Sequence, residues 1–170
     1  MYAGCTTPYF RPSPACMPPV PPESQHMSTV RDLLARKPPA VVWVTPQTTV
    51  LDAAMIMGDN GFGAVVVLDG KALVGIFTER DVLRRVVAVR LDPASTSVES
   101  VMTASLLTCL PDTSLDECGA IMTTHRIRHL PVVDTSGLLG LVSIGDLLAH
   151  QVSEHEVTIR FLNEYMFNAR

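Results

Sequence analysis

The apolar positions of this 170-residue chain switch several times between helical and strand spacing once Ser28 is passed. Val30, Leu33 and Leu34 share one helical face behind Ser28 or Thr29 as a cap, and Pro38-Pro39 stops the helix they predict. Residues 41–44 read as a short strand. Thr48 or Thr49 then caps a helix with Val50, Ala53, Ala54 and Met57 at helical spacing, closed by Asn60-Gly61-Phe62-Gly63. The apolar run 64–68 predicts a buried strand, Asp69-Gly70 a hairpin turn, and residues 72–77 the partner strand. Thr78 caps the next helix, through Asp81, Val82, Leu83, Val86 and Val87. The order then returns, with a lead-in at 97–102, a strand at 106–110, a helix at 114–125, strands at 130–133 and 138–142, and a helix from Ser143. A last helix over 157–167 carries Ile159, Leu162, Tyr165 and Met166 on one face.

The return is a duplication. Residues 46–83 align without a gap on 111–148, an offset of 65, and Pro46, Thr48, Ile56, Met57, Val67, Asp69, Leu73, Gly75, Asp81 and Leu83 each meet an identical residue. Two copies are too few for a solenoid, so a closed pair sharing one body is expected. The fold class is therefore mixed α/β (α+β), two pseudo-symmetric β-α-β-β-α units packed as one module with a C-terminal helix. The expected segments are a tail at 1–27, units at 28–92 and 93–153, and the helix at 154–170.

Composition narrows the function. A net charge of −4 with no basic stripe argues against nucleic acid as a partner, and no apolar run approaches the ~18 residues of a membrane span. Residues 1–26 carry seven prolines, Pro8, Pro12, Pro14, Pro18, Pro19, Pro21 and Pro22, which predicts a mobile, partly polyproline-II segment. It lacks the continuous apolar stretch of a secretory signal, so a cytoplasmic location is expected. Met27 could serve as an alternative start. Cys5, Cys16, Cys109 and Cys118 are far apart in sequence and signal neither a disulfide framework nor a zinc knuckle. No nucleophile with its base, carboxylate dyad or GxxxxGK[ST] loop can be assembled, so the chain reads as a non-enzyme.

The duplicated signature carries the chemistry. Gly75-Ile76-Phe77-Thr78-Glu79-Arg80-Asp81 returns as Gly140-Leu141-Val142-Ser143-Ile144-Gly145-Asp146. A hydroxyl at a strand-to-helix junction with a carboxylate three residues on puts Thr78 and Asp81, and likewise Ser143 and Asp146, on the first turn of a helix with free N–H groups. Such a carboxylate can accept two hydrogen bonds from a ribose diol, while the helix start favours a phosphate. The same residues also serve as plain caps, with the carboxylates as favourable charges on the helix dipole. Both readings stand on the residues alone.

These signatures, the segment from Met122 to Asp134 and the ungapped repeat together resemble the tandem CBS (cystathionine beta-synthase) domain pair, or Bateman module, in its stand-alone bacterial form and its plant organellar relatives. The resemblance covers Ser28 to about Ser153. It implies an adenosine-nucleotide-binding regulator, with AMP as first choice and ADP, ATP or NAD as others, in a cleft between the copies. The implied phosphate contacts are Arg126, Arg128 and His129, opposite Gly61, Gly63 and Ala64 of the first copy, together with Arg80, which faces Gly145. Arginine suits that role because its planar fork pairs two phosphate oxygens and keeps its charge. The inequality of the copies predicts one strong site, with Asp81, and one weaker. The resemblance also implies a homodimer and a regulated protein partner of unknown identity. A purely structural dimerisation unit is the alternative, followed by metal binding through Cys109 or Cys118; no metal is expected. Trp43, Met55, Met57, Met102 and Met122 are expected in the core.

Overall fold

The structure is a computed structural model that describes residues 28–37 and 41–168. The expectations for the tail and for Pro38-Pro39 lie outside those residues. The elements are α1 (Val30–Arg36), β1 (Trp43–Val44), α2 (Val50–Asn60), β2 (Ala64–Asp69), β3 (Ala72–Thr78) and α3 (Glu79–Asp81), which leads into a π-helical turn, Val82–Val87. A 3-10 turn, Val98–Ser100, precedes α4 (Leu115–His125), β4 (His129–Asp134), β5 (Gly137–Ser143) and α5 (Ile144–Asn168). The mixed α/β class follows the pattern in the sequence. Both copies lie in one compact unit, Met27–Gln151, while α5 from Val152 on belongs to a second.

Capping chemistry sets where the helices begin. Thr29, Thr49, Thr78 and Ser114 have extended backbone, and each side chain accepts a hydrogen bond from the amide three residues on. Gly61 ends α2 and Arg126 ends α4, both in the left-handed conformation with φ of 67° and 54°. Glycine takes that conformation without steric cost, whereas arginine does not.

The first copy forms a three-stranded sheet, β1 parallel to β2 and β2 antiparallel to β3, with a register shift between Val67 and Leu68. The second pairs β4 with β5 and shifts register at the matching place, between Val132 and Val133. The strand expected at 106–110 shrinks to a single parallel bridge between Cys109 and Val132. Pro131 supplies the reason. In the first copy the Val66 N–H donates to the Val42 carbonyl at 3.3 Å, and its counterpart in the second copy is Pro131, which has no N–H. Cys109 therefore pairs alone, donating to the Pro131 carbonyl and accepting from the Val133 N–H at 3.0 Å each.

Two cores form, and each contains the lead-in of the other copy. Val30 and Leu33 of α1 pack with Cys109, Leu115, Met122 and Leu130, whereas Val98 and Val101 pack with Val50, Met57, Val67 and Phe77. Backbone bonds repeat the exchange: Val30 N–H donates to Thr113 O at 3.0 Å, and Val98 N–H to Thr48 O at 2.9 Å. The fillings compensate. Ala53, Val65 and Phe77 of the first core stand where the second has Cys118, Leu130 and Val142, all fully buried, so a large residue lost at one position is balanced by larger ones at two others.

Several expectations are corrected. Trp43 is 54% exposed, because on β1 only Val44 faces the core and its neighbour must point away. Met55 is 57% exposed on the outer face of α2, while Met57 and Met122 are buried and Met102 packs at the edge of the first core. The helices expected from Ser143 and over 157–167 are one helix, α5. Ile159 is exposed on it, and the side chains of Leu162, Tyr165 and Met166 lie outside the described residues. Cys109 and Cys118 are free, buried and share one core; the neighbouring Cys118 thiol and burial push the Cys109 thiol up.

Candidate functional site

Each signature builds its own helix start. The Thr78 N–H and Oγ1 donate to Asp81 Oδ2 at 3.0 and 2.7 Å, and the Ser143 N–H and Oγ donate to Asp146 Oδ2 at 2.7 Å each. The capping reading is thus realised in both copies through one carboxylate oxygen. The signature glycines have a separate role. A Cβ on Gly140 would lie 2.7 Å from Leu34 Cδ2, and one on Gly75 would collide with the Met102 side chain, so both glycines admit the exchanged lead-ins.

Two cavities result, each joining the aspartate of one copy to the strand start of the other. The larger, about 440 Å³, surrounds Ser143 and Asp146 and is walled by Leu34, Val41, Val42, Leu139 and Leu141, with Gly61, Phe62, Gly63 and Ala64 from the first copy. Lys37 also lines it. The smaller, about 270 Å³, surrounds Thr78, Arg80 and Asp81 and takes Arg126, Ile127 and Arg128 from the second copy. His129 lines both. The structure therefore gathers Thr78, Arg80, Asp81, Arg126, Arg128 and His129 at one cavity and puts Ser143 and Asp146 at the other.

Sequence reasoning missed Lys37, Arg84 and Arg85. Arg85 carried a signal, since it lies four residues after Asp81 on the same helical face, and its Nε is 3.5 Å from Asp81 Oδ1. Its Nη1 also donates to the Val101 carbonyl at 2.9 Å and to that of Met102. Lys37 gave none. It reaches Asp146 from 109 residues away, with Nζ donating to Asp146 Oδ2 at 2.7 Å and to the Leu141 carbonyl at 3.2 Å.

Charge differs between the cavities. Burial raises the Asp146 carboxyl, but the Lys37 ammonium and the Ser143 hydroxyl and amide outweigh it and hold the group below the ordinary carboxylate value. For His129, burial and then Arg128 lower the imidazole below 6.5, opposed by Glu79 and Asp146, while Lys37 adds to the lowering. His129 is therefore neutral at pH 7 and senses charges from both cavities.

The CBS domain family model matches residues 29–88 and 98–153, the two copies whose aspartates face each other's strand starts. The chain belongs to the CBS domain family. It is a tandem CBS pair, a regulatory module. It is 36% identical over 148 residues to the mitochondrial CBS domain-containing protein CBSX3 of Arabidopsis thaliana, covering 82% of this chain and 72% of that protein. Among solved structures it is similar to a protein with CBS domains from Burkholderia ambifaria MC40-6, with 43% identity and a TM-score of 0.72 over 74% of this chain and 95% of that one. A CBS domain protein from Pyrobaculum aerophilum complexed with AMP shares 30% identity and a TM-score of 0.62, over 70% of this chain and 89% of that one. No helix among the described residues is long and apolar enough to cross a membrane.

Proposed function

We propose that this CBS pair binds adenosine nucleotides in its two cavities and passes their occupancy to a protein partner, without catalysing a reaction. The observation that carries this reading is the cross-copy pairing: each signature aspartate stands in a cavity completed by the other copy's strand start. The AMP complex of the Pyrobaculum protein supports the same ligand class for this fold. The role of Asp81 and Asp146 is to accept from a ribose diol, using the carboxylate oxygen that does not cap the helix. For Asp146, the Lys37 ammonium lies beside that seat and offers a cation to a phosphate. AMP is the first ligand to test, with ADP, ATP and NAD as the others.

The protein acts as a homodimer on this reading. Leu51, Met55, Leu83, Val87 and Leu148 are exposed apolar residues on helices or helical turns, and Leu83 and Leu148 occupy equivalent positions in the two copies. Apolar surface of that kind suits a second copy. A monomer in sedimentation equilibrium would contradict the dimer.

A thermal-shift titration with calorimetry tests the ligand. A nucleotide that binds only the folded chain stabilises it by RT ln(1 + [L]/Kd) and so raises Tm with concentration. Asp81→Asn and Asp146→Asn should each weaken nucleotide binding by about 1.5–3 kcal/mol at its own cavity, the range for hydrogen bonds to a charged group. A scaffold without ligand would show no Tm shift with any adenosine nucleotide.

A further inference from the structure

The two cavities do not suit the same end of a nucleotide. Arg80, Arg84, Arg85, Arg126 and Arg128 all line the Asp81 cavity, and Asp81 is the only carboxylate among its described lining residues. This concentration of positive charge stands in a chain of net charge −4. Three of the arginines have partners: Arg80 Nη1 donates to the Arg126 carbonyl at 3.1 Å, Arg85 pairs with Asp81, and Arg128 Nη2 lies 3.9 Å from the exposed Glu79. The guanidinium groups of Arg84 and Arg126 make no hydrogen bond or ion pair with any described residue.

Arg126 adds a second, independent observation. It occupies left-handed backbone at the end of α4, where the first copy has Gly61. Left-handed arginine costs strain that glycine avoids, and here the residue that bears it lines the cavity, whereas the other left-handed arginine, Arg90, lines neither cavity. The cavity also has less apolar surface than the Asp146 cavity. Its apolar side chains are Ile76 and Ile127, because residues 106–107, the counterparts of the Val41-Val42 wall, are not among its lining residues.

The Asp146 cavity is the reverse case. It is larger, its walls are mostly aliphatic, and its one lysine already pairs with its one aspartate. A nucleoside with a single phosphate fits that balance. A phosphomonoester carries about −1.5 to −2 charges, too few to balance five guanidinium groups set against the carboxylates of Asp81 and Glu79, and every further phosphate adds negative charge and acceptor oxygens.

We infer that the Asp81 cavity is a polyphosphate subsite that selects adenosine di- and triphosphates, whereas the Asp146 cavity recognises its ligand through the nucleoside and takes the monophosphate. The inference rests on the adenosine reading above and adds phosphate number to it. It replaces the expectation of one strong and one weak site by two sites of different selectivity.

Calorimetric titration of the full chain with AMP, ATP and inorganic tripolyphosphate tests it, with the Arg84→Ala/Arg126→Gly double variant alongside. Both substitutions are at exposed side chains, and the unaltered protein alone already discriminates the outcomes. The expected result is ATP binding about tenfold or more tighter than AMP, displacement of ATP by tripolyphosphate, and a loss of about tenfold or more for ATP in the double variant with AMP changed less than about twofold. Equal affinities for AMP and ATP, or tripolyphosphate that fails to displace ATP, would overturn the subsite and leave the adenosine reading in place. Tripolyphosphate binding with neither nucleotide bound would keep the anion subsite and remove the adenosine reading.

Discussion

At the strand start the first copy carries Gly61, Gly63 and Ala64, and the second carries Arg126, Arg128 and His129, on chain paths with the same turn, the same pairing and the same register shift. Small residues leave room for the aliphatic walls of the Asp146 cavity. Arginines fill the facing position with charge. A duplicated backbone has thus been kept while its two clefts have been given different chemistry, and the difference lies in side chains outside the two core clusters. Within the cores the opposite rule holds, since Ala53, Val65 and Phe77 trade against Cys118, Leu130 and Val142 so that each core stays filled.

The cores give the largest expected effect. Phe77→Ala should destabilise the protein by about 3–5 kcal/mol in urea unfolding, because a fully buried ring leaves a cavity. Installing the second copy's set in the first, Ala53→Cys with Val65→Leu and Phe77→Val, should cost less than about 1.5 kcal/mol, as volume-conserving exchanges do. A triple variant as unstable as Phe77→Ala would break the equivalence of the two cores.

A smaller effect sharpens the contrast at the strand start. Arg126→Gly gives the second copy the residue of the first, and should raise stability by about 0.5–1 kcal/mol once the entropy of glycine in the unfolded chain is set against the relief of left-handed strain. The same variant should bind ATP more weakly. Loss of stability would show that the Arg126 side chain supports the fold and not a ligand.

The smallest effect concerns pH. Since the folded protein lowers the His129 pKa below 6.5, His129 contributes stability above that value, and the contribution is lost as pH falls through 6.5 toward the folded pKa. His129→Gln should flatten this part of the profile of the unliganded protein. A bound phosphate reverses the preference by favouring imidazolium, so nucleotide affinity should rise from pH 7 toward 6 in the unaltered protein more than in His129→Gln, a control needed because the phosphate itself protonates near pH 6. Matching profiles would exclude His129 from phosphate contact.

The repeat, the caps and the mixed α/β class were legible because they depend on local chemistry: Thr49 and Thr78 announce helix starts, and Asp69-Gly70 a hairpin. Thr78, Arg80, Asp81, Arg126, Arg128 and His129 were legible as one cluster only through the family resemblance, since the repeat offset shows which residues correspond and not which ones meet. Two further contacts, Ser143 and Asp146, were legible as its counterpart. Lys37 was hidden because its partner is 109 residues away, and the missing strand at 106–110 because the cause, Pro131, sits on the neighbouring strand. Trp43 was misplaced because a two-residue strand offers one inward position, which Val44 takes. The exchange of lead-ins between cores had no local signal either, since α1 reads equally well against either copy.

The most direct test is a crystal structure of the protein grown with ATP and, separately, with AMP. The account places the AMP ribose hydroxyls within hydrogen-bond distance of the Asp146 carboxylate, its base against Val41 and Val42, and the ATP phosphates on Arg84, Arg126 and Arg128 with the ribose at Asp81. Saturating nucleotide that leaves both cavities without ligand, or that binds elsewhere on the surface, would contradict it.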